Sequence, residues 1–288
     1  MPTEIDGSRV LLTGAGSGIG RSLALRLGLQ GAVVALVGRN EGRLVDTAMA
    51  IRASGGSAYP FVFDLSRPSG QEELAQGVLK QLGGIDVLVN NAGISRFCEF
   101  SRQEPDEIES LFRTNVVGPM LLTRAVLPHF IRKNSGSIVN IGSTAGSIGF
   151  GHFSAYSSTK FALRGFSEAL RRELDHTEIE VVYVAPRATK TSLNSDAAVE
   201  LSRQTRVVMD EADDVAAAIL KSIRGGRDRH IGWPENILMR FNSLFPSLVD
   251  IAFRKRNRLA RDLASLPVRA WKSGNVRYHV DFRKKEIK

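Results

Sequence analysis

Arg9-Val-Leu-Leu-Thr13 runs straight into Gly14-Ala-Gly-Ser-Gly-Ile-Gly20, and Leu23, Leu25, Leu27 and Leu29 follow. The first five residues are an apolar run of strand type. The glycines are a tight turn, and the leucines are among the apolar positions of an amphipathic helix. A strand that enters a helix through glycines gathers free backbone amides and the positive end of the helix dipole at one point. That arrangement suits a pyrophosphate. The strict spacing G-x-G-x-x-G is not met: counted from Gly14 its last position is Ile19, and from Gly16 it is Arg21. The pattern present is Thr13-Gly14-x-x-x-Gly18-x-Gly20.

The same alternation continues outward. Gly31–Val37, Ala58–Phe63, Ile85–Asn90, Ser137–Ile141 and Ile179–Ala185 are apolar runs of strand length. Between them the spacing predicts helices over about 41–53, 70–82 and 105–130, one carrying Tyr156, and one over 213–223. The segment 228–232 is a candidate seventh strand. Strands that are apolar throughout, separated by helices, imply a parallel sheet covered on both faces. The expected fold class is therefore α/β, a doubly wound parallel sheet of about seven strands. Pro234 marks the expected end of this body. That gives a dinucleotide-binding and catalytic domain over 1–232 and a basic, partly amphipathic helical extension over 233–288.

The chain has 288 residues, 43% hydrophobic and 24% charged, as in an ordinary globular protein with one large core. Its one cysteine, Cys98, excludes an internal disulfide and a cysteine-built metal site, and no metal is expected. The N-terminus does not read as a signal peptide and no run reads as a membrane span, so a cytoplasmic location is expected. The net charge of +9 is uneven. Residues 1–223 hold 23 Lys and Arg against 24 Asp and Glu, whereas residues 224–288 hold 16 against 6. The basic character belongs to the last quarter, and nucleic-acid binding by the fold is not implied.

A second stretch carries chemistry. Ser143 follows the fifth strand, and Tyr156 and Lys160 lie four apart on one helix face. A free phenol titrates near about 10 and is a poor base at neutral pH. A fixed ammonium one turn away favours the phenolate and is expected to lower that value. Such a phenol can exchange a proton with a carbonyl or alcohol oxygen, to which Ser143 can donate a hydrogen bond.

Together these motifs resemble the short-chain dehydrogenase/reductase family over about residues 7 to 232. Thr13, Gly14, Gly18 and Gly20 match its glycine turn, and Asp64 matches the acid that holds the adenine. Asn90-Asn91-Ala92-Gly93 matches the segment after the fourth strand. Asn115, Ser143, Tyr156 and Lys160 match its four catalytic positions in order. The resemblance implies that Tyr156 moves the proton and Ser143 orients the substrate oxygen. It implies that Lys160 tunes Tyr156 and holds the nicotinamide ribose, and that Asn115 anchors a water leading from Lys160 to solvent. It implies cofactor contacts at Gly14, Ser17, Gly18, Ile19 and Gly20, at Arg39, Asp64 and Leu65, and at Asn91, Ala92 and Gly93. Tyr156, Lys160, Pro186, Thr189 and Thr191 complete that set. Gly38 stands where members using NAD usually carry an acid, and Arg39 follows it with a fork of donors suited to a 2′-phosphate. NADP(H) is therefore favoured over NAD(H).

The expected reaction interconverts a carbonyl and a secondary alcohol on a small-molecule substrate. The alternative is a catalytically silent dinucleotide-binding or redox-sensing protein of the same fold. A homodimer or homotetramer through the helices of Asn115 and Tyr156 is implied. Pro186-Arg187 replaces the family's usual Pro-Gly, and Arg187 either turns to solvent or faces an anionic substrate or cofactor phosphate. The polar segment 187–209 corresponds to the substrate loop and is expected to be mobile until ligand binds. Ile94, Phe97, Ile148, Phe150 and Phe153 are candidates for an apolar pocket wall. In the extension, Ile237, Phe241, Leu244, Phe245, Leu248, Val249, Ala252 and Phe253 follow helical spacing up to a basic cluster at 254–258. Such a stripe with its basic cluster either packs over the pocket or a partner subunit, or makes peripheral contact with an anionic membrane, or meets an acidic partner or nucleic acid.

Overall fold

The computed structural model describes residues 3–232 and 235–265. Pro234, the expected end of the α/β body, and residues 266–288 of the basic extension lie outside the described residues. Seven strands form one parallel sheet in the order β3-β2-β1-β4-β5-β6-β7. They are β1 (Arg9–Thr13), β2 (Val33–Gly38), β3 (Ser57–Val62), β4 (Val87–Asn90), β5 (Gly136–Ile141), β6 (Ile179–Ala185) and β7 (Arg229–His230). The expected doubly wound sheet is thus the fold, with strand limits shifted by a residue or two. Pro60 lies on the edge strand β3, where its missing N–H leaves no ladder bond unmade.

Apolar side chains leave both faces of the sheet, as the unbroken apolar strands require. One face packs Val10, Leu12, Val34 and Val182 against α1 (Gly18–Leu29), α2 (Glu41–Ala53) and α8 (Ala212–Gly225). The other packs Leu11, Val37, Leu88 and Ile138 against α3 (Gln71–Leu82), α5 (Gly118–Lys133) and α6 (Ser154–Glu173). Strand order reverses between β1 and β4, which opens a crevice at the carboxyl ends of these strands.

The helix expected over 105–130 is interrupted. α4 (Pro105–Phe112) passes into a π-helical turn, Arg113–Val117, before α5 begins. Pro119 explains the break. It has no N–H to give to the carbonyl four residues back, which is that of Asn115, so the ladder widens there.

The segment 187–209 contains α7 (Asp196–Gln204), and the extension forms α9 (Glu235–Leu244) and α10 (Pro246–Ala264). Buried Leu201 of α7 packs with Leu259, Ala260 and Leu263 of α10, which braces the expected mobile loop. Among the described residues, no helix is long and apolar enough to cross a membrane.

Candidate active site

The glycine turn works through backbone space. Gly14 has φ +69°, and a Cβ there would lie 2.9 Å from the Ala92 Cα. A Cβ at Gly20 would lie 2.1 Å from the carbonyl oxygen of Gly14, so α1 can start against β1 only with glycine there. Thr13 ties this turn to the segment after β4. Its hydroxyl accepts from the amides of Asn91 and Ala92, both at 3.0 Å, while the Asn91 side chain donates to the Thr13 carbonyl at 2.9 Å.

Beneath the crevice, polar side chains fix the helices to the strands. The Asn90 amide donates to Asn140 at 2.9 Å and to Thr123 at 3.1 Å, and Asn140 donates to Ser167 at 2.9 Å. These buried bonds link β4, β5, α5 and α6, and so set Tyr156 against the end of β5. Tyr183 of β6 adds to this: a Cβ on Gly142 would lie 2.1 Å from its ring and hydroxyl, so glycine at 142 is what lets the ring sit beneath Ser143.

Tyr156, Ser143 and Lys160 line one cavity of about 690 Å³. Lys160 is buried, its Nζ 5.8 Å from the centre of the Tyr156 ring and donating to the Ile141 carbonyl at 3.0 Å. Burial lowers the Lys160 ammonium to about 8. Burial also raises the Tyr156 phenol above its ordinary value, and the hydrogen bond with Ser143 opposes only part of that rise. The expected lowering of Tyr156 by Lys160 is therefore absent. Desolvation sets the direction, with the hydrogen bond from Ser143 as the opposing cause.

Asn115 does not line the cavity. It is 1% exposed and lies behind it, its Oδ1 accepting from the Ile94 amide at 2.9 Å. Its Nδ2 donates to the Ile94 carbonyl at 2.9 Å and to Thr159, beside Lys160, at 3.0 Å. The side chain clamps the cavity wall to the Tyr156 helix.

A family model described as short chain dehydrogenase matches residues 8–201. The chain belongs to the short-chain dehydrogenase family. It is 36% identical over 223 residues to the ketoacyl reductase HetN of Nostoc, with 77% of each chain covered. A metagenomic short-chain oxidoreductase solved in complex with NADP superposes with a TM-score of 0.66 at 32% identity, covering 77% of this chain and 93% of that one. A short-chain dehydrogenase/reductase of Burkholderia phymatum in complex with NAD superposes at 0.78, with 24% identity over 86% and 96% of the two chains. This short-chain dehydrogenase/reductase is thus an oxidoreductase of nicotinamide dinucleotide chemistry acting on a small molecule.

The residues of this short-chain dehydrogenase fit such a cofactor. Gly14, Ser17, Gly18, Ile19 and Gly20 line one part of the cavity, with Arg39, Asp64 and Leu65 beside them. Asn91, Ala92 and Gly93, then Tyr156 and Lys160, then Pro186, Thr189 and Thr191 line the rest. A Cβ on Gly93 would lie 3.7 Å from the Lys160 Nζ and 3.3 Å from the Asn115 Oδ1, filling space that a ribose would need. Asp64 sits below the ordinary carboxylate range. Burial pushes it up, but hydrogen bonds from Ser66 and the charges of Arg39 and Arg67 outweigh that.

Two expectations about the walls are corrected. Ile94, Phe150 and Phe153 line the cavity, but Phe97 and Ile148 do not. Phe97 packs behind Phe153, ring centres 5.0 Å apart, against Leu201 and Leu259. Ile148 is 2% exposed, buried beneath the loop. Arg187 does not turn to solvent: it lines the cavity, with its Nη2 2.7 Å from Asp210 Oδ1 and its Nε 3.0 Å from both carboxylate oxygens. This pair fastens the end of β6 to the far end of the substrate loop.

Arg43, Leu238, Phe253 and Arg256 also line the cavity. Sequence reasoning missed Arg43, Leu238 and Arg256 as site residues, whereas Phe253 belongs to the stripe that was expected to pack over the pocket or a partner subunit. For Arg43 the signal was its place one turn after Arg39, at the start of α2. For Leu238 and Arg256 no local signal exists, because only the tertiary docking of α9 and α10 brings them there.

Proposed function

We propose that the protein is an NADP(H)-dependent reductase of fairly hydrophobic carbonyl compounds, with Tyr156 as the general acid. One observation carries the reading. Tyr156, Ser143 and Lys160 converge in the cavity that also holds the glycine turn and two arginines, Arg39 and Arg43. NADPH, when bound, supplies the hydride. Gly14, Gly18 and Gly20 would admit its pyrophosphate to the amides of α1, Asp64 would hold its adenine, and Thr189 and Thr191 would hold the nicotinamide end. Arg39, with Arg43 beside it, supports a 2′-phosphate, because no acid stands at Gly38 to take a ribose hydroxyl.

The substrate oxygen accepts hydrogen bonds from Ser143 and Tyr156. As hydride reaches the carbonyl carbon, the phenolic proton of Tyr156 passes to that oxygen. Burial raises the Tyr156 phenol, so it carries the proton that it gives to the substrate oxygen in the reductive direction. Lys160, with a value of about 8, is suited to return a proton toward Tyr156. Asn115 holds the wall and Thr159 beside it, and completes the route to solvent.

Two further readings concern partners. Val117, Met120, Ile131 and Phe161 are exposed apolar residues on or beside α5 and α6, and they support assembly into a homodimer or homotetramer through those helices. The stripe on α9 and α10 divides. Val249 is buried, while Ile237, Phe241, Leu244, Phe245, Leu248 and Ile251 are 39–72% exposed. Exposed Arg240, Arg254 and Arg258 belong to the same two helices. An apolar ridge beside basic residues supports peripheral contact with an anionic bilayer.

The reading is tested by following NADPH oxidation across a panel of hydrophobic ketones. Turnover of at least one ketone is expected, with NADPH preferred to NADH. Tyr156→Phe should bind NADPH normally and turn over at least about a hundredfold more slowly. Full activity in that variant would remove Tyr156 from the proton transfer. Equal efficiency with NADH would remove the cofactor assignment.

A further inference from the structure

Arg256 stands on the buried side of α10 and lines the same cavity as Ser143 and Tyr156. Its guanidinium carbon lies 4.7 Å from the centre of the Phe150 ring and 5.8 Å from that of Phe253. The two rings stack with centres 5.7 Å apart and an angle of 14°, so the cation rests against a short aromatic wall. Burial lowers this arginine to about 10, which still leaves it charged at neutral pH.

Among the described residues, no acid pairs with Arg256. Among the described residues it makes no hydrogen bond or ion pair, and its Nη1 is buried without a partner. The positions three and four away on α10 are Ala252, Phe253, Leu259 and Ala260, none of which accepts from a side chain. Arg187, the other arginine near the nicotinamide end, is committed to Asp210. Arg39 and Arg43 flank the end of β2, on the cofactor side of the cavity. A buried guanidinium without an acceptor is costly, and its planar fork is shaped for two oxygens of an anion.

We infer that Arg256 binds an anionic end of the substrate, so that the enzyme reduces a carbonyl on an apolar body that carries a carboxylate or a phosphate. This rests on the carbonyl-reductase reading and adds the class of substrate to it. Phe150 and Phe153 provide the apolar passage between Arg256 and Tyr156. The Phe150 ring packs against the guanidinium, and the Phe153 ring lies 6.1 Å from that of Tyr156.

The test uses three matched probes at saturating NADPH: a medium-chain oxo carboxylic acid, its methyl ester, and the corresponding oxoalkyl phosphate. Wild-type enzyme should favour one or both anions over the ester by on the order of ten- to a hundredfold in kcat/KM, mainly through KM. The anion that wins identifies carboxylate or phosphate. Arg256→Gln should bring that ratio close to one, and Arg256→Lys should restore part of it. Calorimetry of decanoate against decanol on the enzyme–NADP complex gives a reading that needs no turnover. Decanoate should bind more tightly, and Arg256→Gln should abolish the difference. Arg256-dependent binding of decanoate without turnover of any ketone would sink the reductase reading and leave the anion site standing. Equal handling of acid, phosphate and ester by the wild type would overturn the inference while the reductase stands. So would a loss in Arg256→Gln that appears in NADPH affinity rather than in the anion ratio. If Arg256→Gln does not fold, the wild-type ratio and Arg256→Lys decide.

Discussion

Lys160→Met should stabilise the protein without its cofactor while destroying its activity. Lys160 is 5% exposed, and burial holds its ammonium at about 8. Lowering an ordinary lysine that far corresponds to about 3 kcal/mol held against the charged form. Methionine has a similar reach and no charge, so this penalty disappears. Against that, the hydrogen bond to the Ile141 carbonyl is lost, at a cost of about 1 kcal/mol. The balance is about 2 kcal/mol in favour of the variant at pH 7, or roughly 4 °C in Tm for a chain of this size. The pH dependence has a definite sign. Below about 8 the lysine is charged both folded and unfolded, and the full penalty applies. Between about 8 and the ordinary lysine value the folded protein sheds its proton first. The unfolded state then binds more protons, and wild-type stability rises with pH. The advantage of the variant should therefore shrink as pH rises from 8 towards 10. Thermal unfolding of both proteins across pH 6–10, without nucleotide, measures it. A variant less stable than wild type at pH 7, or a difference that stays constant to pH 10, would refute the claim that the ammonium is held at a cost.

Arg187→Ala leaves the Asp210 carboxylate, 15% exposed, without its cation and frees the segment that carries Thr189 and Thr191. A loss of about 2–3 kcal/mol in unfolding free energy and a several-fold rise in KM for NADPH are expected; unchanged Tm and KM would deny the pair its fastening role. Gly142→Ala drives a methyl group into the Tyr183 ring, so kcat should fall at least about tenfold with a stability loss of about 1–3 kcal/mol. Gly149→Ala, where nothing lies within 4 Å of the added carbon, is the control that should behave as wild type. For the membrane contact, full-length protein should co-sediment with anionic vesicles at low salt, and Phe245→Asp with Leu248→Asp should abolish it. Sedimentation that the double variant retains would place any membrane contact elsewhere.

What the sequence made legible was local, and what it hid was tertiary. The glycine turn, the apolar strands and the Ser143, Tyr156 and Lys160 positions are short-range patterns, and each appears in the structure at its expected place in the chain. Asn115 was also located, but its burial behind the cavity wall depends on Ile94 and Thr159, which are 21 and 44 residues away. The stripe of the extension shows the limit more sharply. Helical spacing puts Phe241, Leu248, Val249 and Phe253 on one apolar surface, yet Val249 is buried, Phe253 reaches the cavity, and Phe241 and Leu248 face outward. Nothing in periodicity separates these residues, because the division is made by α7 and by the loop ahead of α6. Proton affinities follow the same rule. Spacing alone places an ammonium beside a phenol and suggests that the phenol is acidified. Burial, which spacing does not report, moves the Tyr156 phenol up instead and lowers the Lys160 ammonium to about 8, where it is still charged at neutral pH. A bound nicotinamide ribose would place hydroxyl groups beside Lys160, whose Nζ donates to the carbonyl of Ile141. Hydroxyl acceptors there should raise the proton affinity of Lys160 above its value of about 8 in the cofactor-free protein.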